Sequence, residues 1–325
     1  MTKAIRIHET GGPDVMRWET VEVGDPGYGE VRVRHSAIGL NFIDVYHRSG
    51  LYPLPSLPAV IGMEGAGIVE ALGDDVSNLN LGQRVAYAGL PPGAYAEARL
   101  MPADRLVKIP DSVTDRQAAA MMLQGMTAHY LLRRTYPVRP GDTILIHAAA
   151  GGVGLIVCQW AKHLGAMVIG TVGNEEKASL AKANGCDYPI VYTRENFTER
   201  VREITGGAGV DVVYDSIGKD TFEGSLDCLK PLGMMVSFGN ASGPIPPFEP
   251  AILSAKGSLF FTRPTLMTYT AKPGDLQSAA RELFETVERG HVAITVNQTY
   301  ALKDAARAHR DLEARKTTGS TVLIP

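Results

Sequence analysis

Short apolar runs separated by glycine and proline clusters fill the first third of the chain. Val31 to Val33, Gly67 to Val69 and Arg84 to Ala88 lie between breakers such as Gly11-Gly12-Pro13 and Gly27-Tyr28-Gly29. Runs of that length between turn residues predict strands, so this part is expected to be β-rich. Tyr52-Pro-Leu-Pro-Ser-Leu-Pro58 is expected to be loop, because each proline fixes its φ and lacks an amide donor.

The texture changes at Thr114. Asp115 to Arg134 carries Ala118 to Met122 and Tyr130 to Leu132 without a proline, which predicts helix. After Pro140-Gly141-Asp142 strand and helix alternate. Ile144 to His147 reads as a strand, Gly151 to Leu164 as a turn and helix, and Met167 to Val172 as a second strand. A helix follows through Glu176 to Ala183, and Val210 to Tyr214 and Met234 to Phe238 read as buried strands. Such alternation predicts a parallel sheet covered on both faces. The α/β pattern stops near Leu266. A long helix (Leu276 to Arg289), a short one (Asp304 to Ala314) and a final strand (Thr321 to Ile324) complete the chain. The C-terminal part is expected to rejoin the N-terminal domain, leaving the nucleotide domain as an insert.

At 325 residues, with 45% hydrophobic and 21% charged residues, two α/β domains are the expectation. A net charge of -3 gives no electrostatic reason for nucleic acid or an anionic membrane as partner. Three scattered cysteines, Cys158, Cys186 and Cys228, are read as small buried hydrophobes in a reducing compartment. The charged segment Met1 to His8 has no apolar signal core and charges or prolines break every long apolar stretch, so the expected location is cytoplasmic.

The strongest local signal is Ile146-His-Ala-Ala-Ala-Gly-Gly-Val-Gly154, which follows a strand and opens a helix as a dinucleotide fingerprint must. Aligned to G-x-G-x-x-G, its key positions are Ala149, Gly151 and Gly154. Gly151 lets the backbone approach a pyrophosphate, Gly154 lets helix and strand pack, and the helix N-terminus offers unpaired N–H groups to the phosphates. Ala149 departs from the pattern. Cofactor choice turns on the next strand end, Gly170-Thr-Val-Gly173-Asn174, which has no acid to hold an adenosine ribose. Glu175 and Glu176 come slightly later and suit the first helical turn. Lys177, one turn on, can reach a 2′-phosphate, so the reading is NADPH.

Together with the fingerprint, Ala37-Ile-Gly-Leu-Asn-Phe-Ile-Asp44, Arg48-Ser-Gly-Leu-Tyr52, Gly62-Met-Glu-Gly-Ala-Gly67, Tyr214-Asp-Ser-Ile-Gly218 and Val236-Ser-Phe-Gly-Asn240 carry a resemblance over essentially the whole chain. The sequence resembles the zinc-free quinone oxidoreductases, the zeta-crystallin-like branch of the medium-chain dehydrogenases/reductases. The resemblance implies an α/β protein with a GroES-like β-rich catalytic domain (1–123 and 267–325), a Rossmann domain with a doubly wound parallel sheet (124–266), and a cleft between them. It also implies a homodimer paired through edge strands around Leu259 to Thr262. The NADPH contacts it suggests are Asn41, Phe42, Asp44, Tyr46, Thr127, Tyr130, Gly151, Gly152, Val153, Gly173, Lys177, Tyr192, Ser216, Phe238, Gly239, Arg263 and Arg315. Of these, Lys177, Tyr192 and Arg315 would surround the 2′-phosphate.

Zinc-containing relatives place Cys where this chain has Asn41 and His where it has Met63. A neutral amide and a thioether do not suit zinc, and 3 cysteines cannot build the four-cysteine structural site of those relatives. Quinone reduction tolerates this, because the charge created spreads over a phenolate and positioning supplies much of the effect. Asn41, Tyr46 and Tyr52 are the candidate catalytic donors, with Tyr52 ranked first on chemistry and a rim aromatic as its plain alternative. Asp44 is read as orienting them. Arg263 could meet cofactor, substrate or a dimer partner, and His147 is read as a structural hydrogen-bonding residue. Three functions remain open: NADPH-dependent quinone reduction by hydride or single electrons, conjugate reduction of an α,β-unsaturated ketone or alkenal, and an NADPH-binding protein with an RNA-binding or structural duty.

Overall fold

In the computed structural model, which describes residues 1–325, the first strand β1 (Thr2–Ile7) turns Ala4, Ile5 and Ile7 inward and leaves Lys3 exposed. There follow β2 (Met16–Val21), β3 (Glu30–Leu40), helix α1 (Phe42–Ser49), β4 (Ala59–Val60), β5 (Glu64–Leu72), β6 (Arg84–Ala88), β7 (Ala98–Pro102) and β8 (Val107–Lys108). The short strands expected here form, and the proline-rich stretch from Tyr52 to Pro58 is loop. β1 is central in a three-stranded antiparallel sheet between β2 and β4.

The helix expected from Asp115 to Arg134 is interrupted. Helix α2 (Asp115–Ala119), capped by Thr114 and Gln117, ends at Ala120, and α3 (Met122–Tyr130) restarts after it. Leu131–Thr135 is a π-helical turn, closed by a bond from the Tyr136 N–H to the Leu131 carbonyl. That carbonyl also accepts from Tyr214 Oη at 3.1 Å, an extra partner that favours the wider turn.

Next comes the predicted alternation: β9 (Thr143–Ile146), α4 (Gly152–His163), β10 (Met167–Val172), α5 (Glu175–Ala183), β11 (Tyr188–Val191), α6 (Phe197–Ile204), β12 (Val210–Asp215), α7 (Phe222–Cys228), β13 (Leu229–Ser237), α8 (Ala251–Ala255), β14 (Phe260–Thr262) and α9 (Leu266–Tyr269). The six strands form one parallel sheet in the order β11-β10-β9-β12-β13-β14. Strands buried on both faces explain the near-continuous apolar runs, and Leu145, Ile169 and Val213 have no measurable exposure. β13 begins five residues before Met234, because Lys230, Pro231 and Leu232 hide its exposed start.

Helix α10 (Pro273–Glu288), β15 (Val296–Ala301), helix α11 (Ala305–Glu313) and β16 (Ser320–Ile324) end the described chain. β16 lies antiparallel on β3, pairing Thr321 with Leu40 and Leu323 with Ile38, and so joins the seven-stranded sheet of the N-terminal part. Two units result: Met1–Met126 with Tyr269–Glu288 and Ile294–Pro325, and Thr127–Thr268 with Arg289–Ala293.

Candidate active site

In the first unit, β3 delivers Asn41 to the N-terminus of α1, where its backbone turns extended (φ -137°, ψ 157°) before the helix begins. The Asn41 N–H donates to Asp44 Oδ2 at 2.9 Å, three residues on, so the acid closes the first turn. The Asn41 amide is held from two sides. Its Nδ2 donates to Glu64 Oε2 at 2.7 Å, and its Oδ1 accepts from Gln124 Nε2 at 3.1 Å. Ser320 Oγ bonds Gln124 Oε1 at 2.7 Å, which fixes the orientation of both amides. These bonds use one of two amide hydrogens and one lone pair, so a donor and an acceptor of Asn41 remain for a ligand.

Two acids bracket Asn41. Asp44 and Glu64 are both fully buried, and burial pushes the Asp44 carboxyl up to about 7 and the Glu64 carboxyl up to about 8. Their N–H donors pull the other way but do not outweigh desolvation. Asp44 therefore orients the Asn41 backbone, while Glu64 and Gln124 orient its side chain. Gly39 makes room for Glu64. A Cβ there would lie 2.2 Å from Glu64 Oε2 and 2.3 Å from the Ala119 carbonyl. Gly39→Ala is expected to cost about 1–3 kcal/mol in urea unfolding through overpacking and to lower activity more than stability alone explains.

Phe42, Tyr46 and Tyr52 form an aromatic run beside Asn41. The ring centroids of Phe42 and Tyr46 are 6.3 Å apart and those of Tyr46 and Tyr52 are 5.1 Å apart. The Tyr52 N–H donates to the Tyr46 carbonyl at 3.0 Å, so the loop is tied to the helix. Tyr46 is buried and Tyr52 is half-buried.

In the second unit, the remaining candidates gather at the C-terminal ends of parallel strands, where open α/β sheets bind ligands. Gly151, Gly152 and Val153 follow β9, Gly173 and Lys177 follow β10, and Tyr192 follows β11. Ser216 follows β12, Phe238 and Gly239 follow β13, and Arg263 follows β14. Thr127 and Tyr130 lie buried on α3. Gly151 is the N-cap of α4, and no side chain caps that helix. A Cβ on Gly154 would stand 2.3 Å from the Ala148 carbonyl, so only glycine permits this approach of helix and loop.

Asp215, buried at the tip of β12, accepts from the Ile217 and Gly218 N–H groups at 2.7 and 3.0 Å, which shapes the turn carrying Ser216. A Cβ on Gly239 would lie 2.5 Å from the Ser216 carbonyl, so these two loops touch. Arg263 Nη1 donates to the Ser237 carbonyl at 3.0 Å. Ser225 Oγ donates to Asp215 Oδ2, which leaves it an acceptor for His147 Nε2–H at 2.9 Å, while His147 Nδ1 meets Thr171 Oγ1 at 2.9 Å. His147 is thus a buried structural residue, as its sequence context suggests.

At the tip of β10, Asn174 caps α5 through its bond to the Lys177 N–H at 2.9 Å. Glu175, the first acid after the strand, is exposed and paired with Arg194 at 2.7 Å. A Cβ on Gly173 would come 3.2 Å from Tyr192 Oη, so Gly173 and Tyr192 are neighbours. Arg315, in the first unit, sits just beyond α11 in a left-handed conformation (φ 58°).

The sequence pattern did not single out Glu64 or Gln124 as site neighbours, nor Tyr95, which donates to Asp44 Oδ2 at 3.0 Å, nor His309, whose Nε2 meets Tyr95 Oη at 2.9 Å. The available signal was an ionisable residue at the head of an apolar strand, Glu64-Gly-Ala-Gly-Ile-Val69. Asn41's amide is engaged by Glu64 and Gln124, Met63 is buried, and all three cysteines are buried in the second unit. No group of three or more His, Cys, Asp or Glu side chains could hold a metal ion. The donor set does not fit zinc.

Comparison with known proteins places these observations. Residues 27–111 match the family model described as the alcohol dehydrogenase GroES-like domain, and residues 152–285 match the one described as zinc-binding dehydrogenase. A quinone oxidoreductase of Pseudomonas aeruginosa is 55% identical over 100% of both chains. A 2-haloacrylate reductase of Burkholderia sp is 49% identical, over 100% of this chain and 99% of the relative. The crystal structure of Escherichia coli quinone oxidoreductase complexed with NADPH superposes with a TM-score of 0.98 at 49% identity, covering 99% of this chain and 100% of that one.

Proposed function

The chain belongs to the quinone oxidoreductases of the medium-chain dehydrogenase/reductase superfamily, and on that premise we propose that it reduces a quinone with NADPH through the residues described above. The observation that carries the reading is the nucleotide end of the second unit. The uncapped N-terminus of α4 and the tight approach at Gly154 suit a pyrophosphate, and the tip of β10 offers Lys177 and Tyr192 in place of a ribose-binding acid. The family resemblance adds Arg315 as a further contact of the 2′-phosphate.

When bound, the cofactor supplies a hydride; the chain's own groups position the acceptor and support the charge that develops. Asn41, locked by Glu64 and Gln124, presents one N–H to an oxygen of cofactor or acceptor without further reorganisation. Phe42, Tyr46 and Tyr52, with rings tilted 39° and 60° to one another, supply aromatic faces and edges for a quinone ring to pack against, and the Tyr46 or Tyr52 hydroxyl is the donor candidate. Asp44 acts on the Asn41 backbone. Ser216, Phe238, Gly239 and Arg263, at the C-terminal ends of β12 to β14, and Thr127 and Tyr130 on α3 would hold the rest of the cofactor.

Conjugate reduction of an unsaturated carboxylate or ketone is the second reading, favoured by the 2-haloacrylate reductase relative. Stopped-flow oxidation of NADPH with 1,4-benzoquinone and 2-chloroacrylate separates the two. Turnover with the quinone at least tenfold more efficient than with the acrylate is expected, and the reverse ranking would replace the first reading by the second. The same reading makes the protein a cytoplasmic homodimer paired through β14, an edge strand with an exposed Phe260.

A further inference from the structure

Reducing a quinone takes a hydride and one proton: quinone, NADPH and H+ give hydroquinone and NADP+. On the reading above the cofactor supplies the hydride, and the Tyr52 hydroxyl donates to the oxyanion that forms. A phenol that has given up its proton must recover one before the next turnover. With an acceptor ring packed against it and water displaced, Tyr52 needs a neighbour to bring that proton.

Most ionisable groups in this part of the first unit are already committed. Arg48 meets Glu313 bidentately at 2.8 and 2.9 Å, and arginine releases no proton. His309 is held at both nitrogens, by Arg48 Nη1 at 3.0 Å and by Tyr95 Oη at 2.9 Å. Tyr95 donates in turn to Asp44 Oδ2 at 3.0 Å, the oxygen that also accepts from the Asn41 N–H. Because the guanidinium only donates, every bond of this string has one direction, and it conducts no proton. Glu64 is spent on Asn41 and on the Leu123 N–H.

His47, on α1, is different. It is 5% exposed, its Nδ1 is enclosed without a hydrogen-bond partner, and its ring forms no other hydrogen bond. The ring stands edge-on to Tyr52, with centroids 6.2 Å apart and planes at 64°. An enclosed polar atom left unpaired costs about 1–3 kcal/mol, which an apolar side chain at this place would avoid. Stability therefore does not explain the residue.

Asp44, three residues earlier on the same helix, is the charged group that faces it, and Asp44 Oδ1 is likewise enclosed without a partner. Burial lowers His47 from its ordinary 6.5, so at neutral pH the ring is uncharged. It then has one N–H to give and one lone pair to receive.

We propose that His47 relays protons from water to the Tyr52 hydroxyl during quinone reduction. One ring nitrogen takes a proton from water as the other releases its own to the Tyr52 oxygen, so the ring ends uncharged, as it began. The proposal rests on the reading that Tyr52 donates to the acceptor.

Two measurements on the full-length protein test it. In the nucleotide-free protein, nitrogen-15 spectra assigned with His47→Ala should show His47 ring signals that move in Tyr52→Phe. That substitution keeps the ring and removes only the hydroxyl, so unmoved signals would break the link and overturn the proposal. In turnover with 1,4-benzoquinone, Tyr52→Phe should lower kcat about a hundredfold, the lower end for a positioned proton donor, and His47→Ala about tenfold. KM for NADPH should stay within about twofold in both. The His47→Ala loss should be recovered by added imidazole, grow in heavy water, and add nothing to Tyr52→Phe in the double variant. His47→Gln, which fills the space but shuttles no proton, should show the same loss if the alanine variant folds poorly. An unchanged kcat, a loss that imidazole and heavy water leave unmoved, or one that multiplies with that of Tyr52→Phe would mark a structural residue and overturn the proposal. A Tyr52→Phe protein with wild-type kcat would instead remove the reading of Tyr52, and the proposal with it.

Discussion

Replacing Lys177 with alanine should raise the Kd for NADPH by about ten- to one-hundred-fold, the worth of a charge-assisted hydrogen bond of about 1.5–3 kcal/mol, and leave NADH within about twofold. The asymmetry follows from the end of β10. Gly173 carries no side chain, Asn174 is spent capping α5, and Glu175 is drawn off by Arg194 at 2.7 Å. The strand end itself therefore carries no carboxylate to grip a ribose hydroxyl, and the acids Glu175 and Glu176 lie in the first turn of α5. The effect should shrink as ionic strength rises, since Lys177 is only half-buried and follows the exposed Asn174 to Glu176. Isothermal titration of both nucleotides at two salt concentrations checks it, and matched losses for NADPH and NADH would show that Lys177 does not read the phosphate.

Glu64→Gln should lower stability, and the size of the loss should change with pH. Glu64 accepts from Asn41 Nδ2 and from the Leu123 N–H, both at 2.7 Å, whereas glutamine must turn an NH2 toward one of those donors. That leaves a buried donor unpaired at a cost of about 1–3 kcal/mol. The wild-type acid has its own cost. Its carboxyl lies near 8 when folded and 4.5 when unfolded, so between those values the unfolded chain has released a proton that the folded one keeps. Stability from this group is full below about 4.5 and is lost as pH rises toward 8, at up to about 1.4 kcal/mol per pH unit.

Asp44, raised to about 7, acts in the same direction. Buried His35, lowered to about 4, and His309, lowered to about 3, act oppositely, and their contribution is lost as pH falls below 6.5. The wild-type pH profile is therefore flattened below 6.5, and the difference between wild type and Glu64→Gln isolates the acid. That difference, read by urea unfolding, should narrow from pH 5 to pH 8. A constant difference would mean that Glu64 is ionised throughout.

How much of this was readable in the sequence depends on the range of the interactions. The six parallel strands announced themselves through local apolar runs, and the fingerprint at Gly151 to Gly154 is a local motif with a local cause. The π-helical turn at Leu131 that ends α3 was not readable, because the carbonyl captured there by Tyr214 makes a contact distant in sequence. Asn41 and Asp44 stood out through their resemblance to a known family. Glu64 and Gln124, which hold the Asn41 amide, come from β5 and α3, and nothing in their spacing marks them as partners. The buried bonds that link Arg48 to Asp44 through His309 and Tyr95 are more remote still, since His309 enters from α11.

The pairing of β16 with Ile38 to Leu40 bears on how the protein is made. The end of the strand that leads directly into Asn41, Ile38 to Leu40, lacks its β16 partner on the ribosome until residues 320–324 emerge, while the parallel sheet is complete by residue 262. The nucleotide-binding fold can therefore mature during synthesis, and the reaction chemistry is assembled last, through a closure of high contact order. Removing those last few residues should leave a translated chain that still carries a folded cofactor module beside an unfinished, aggregation-prone sheet.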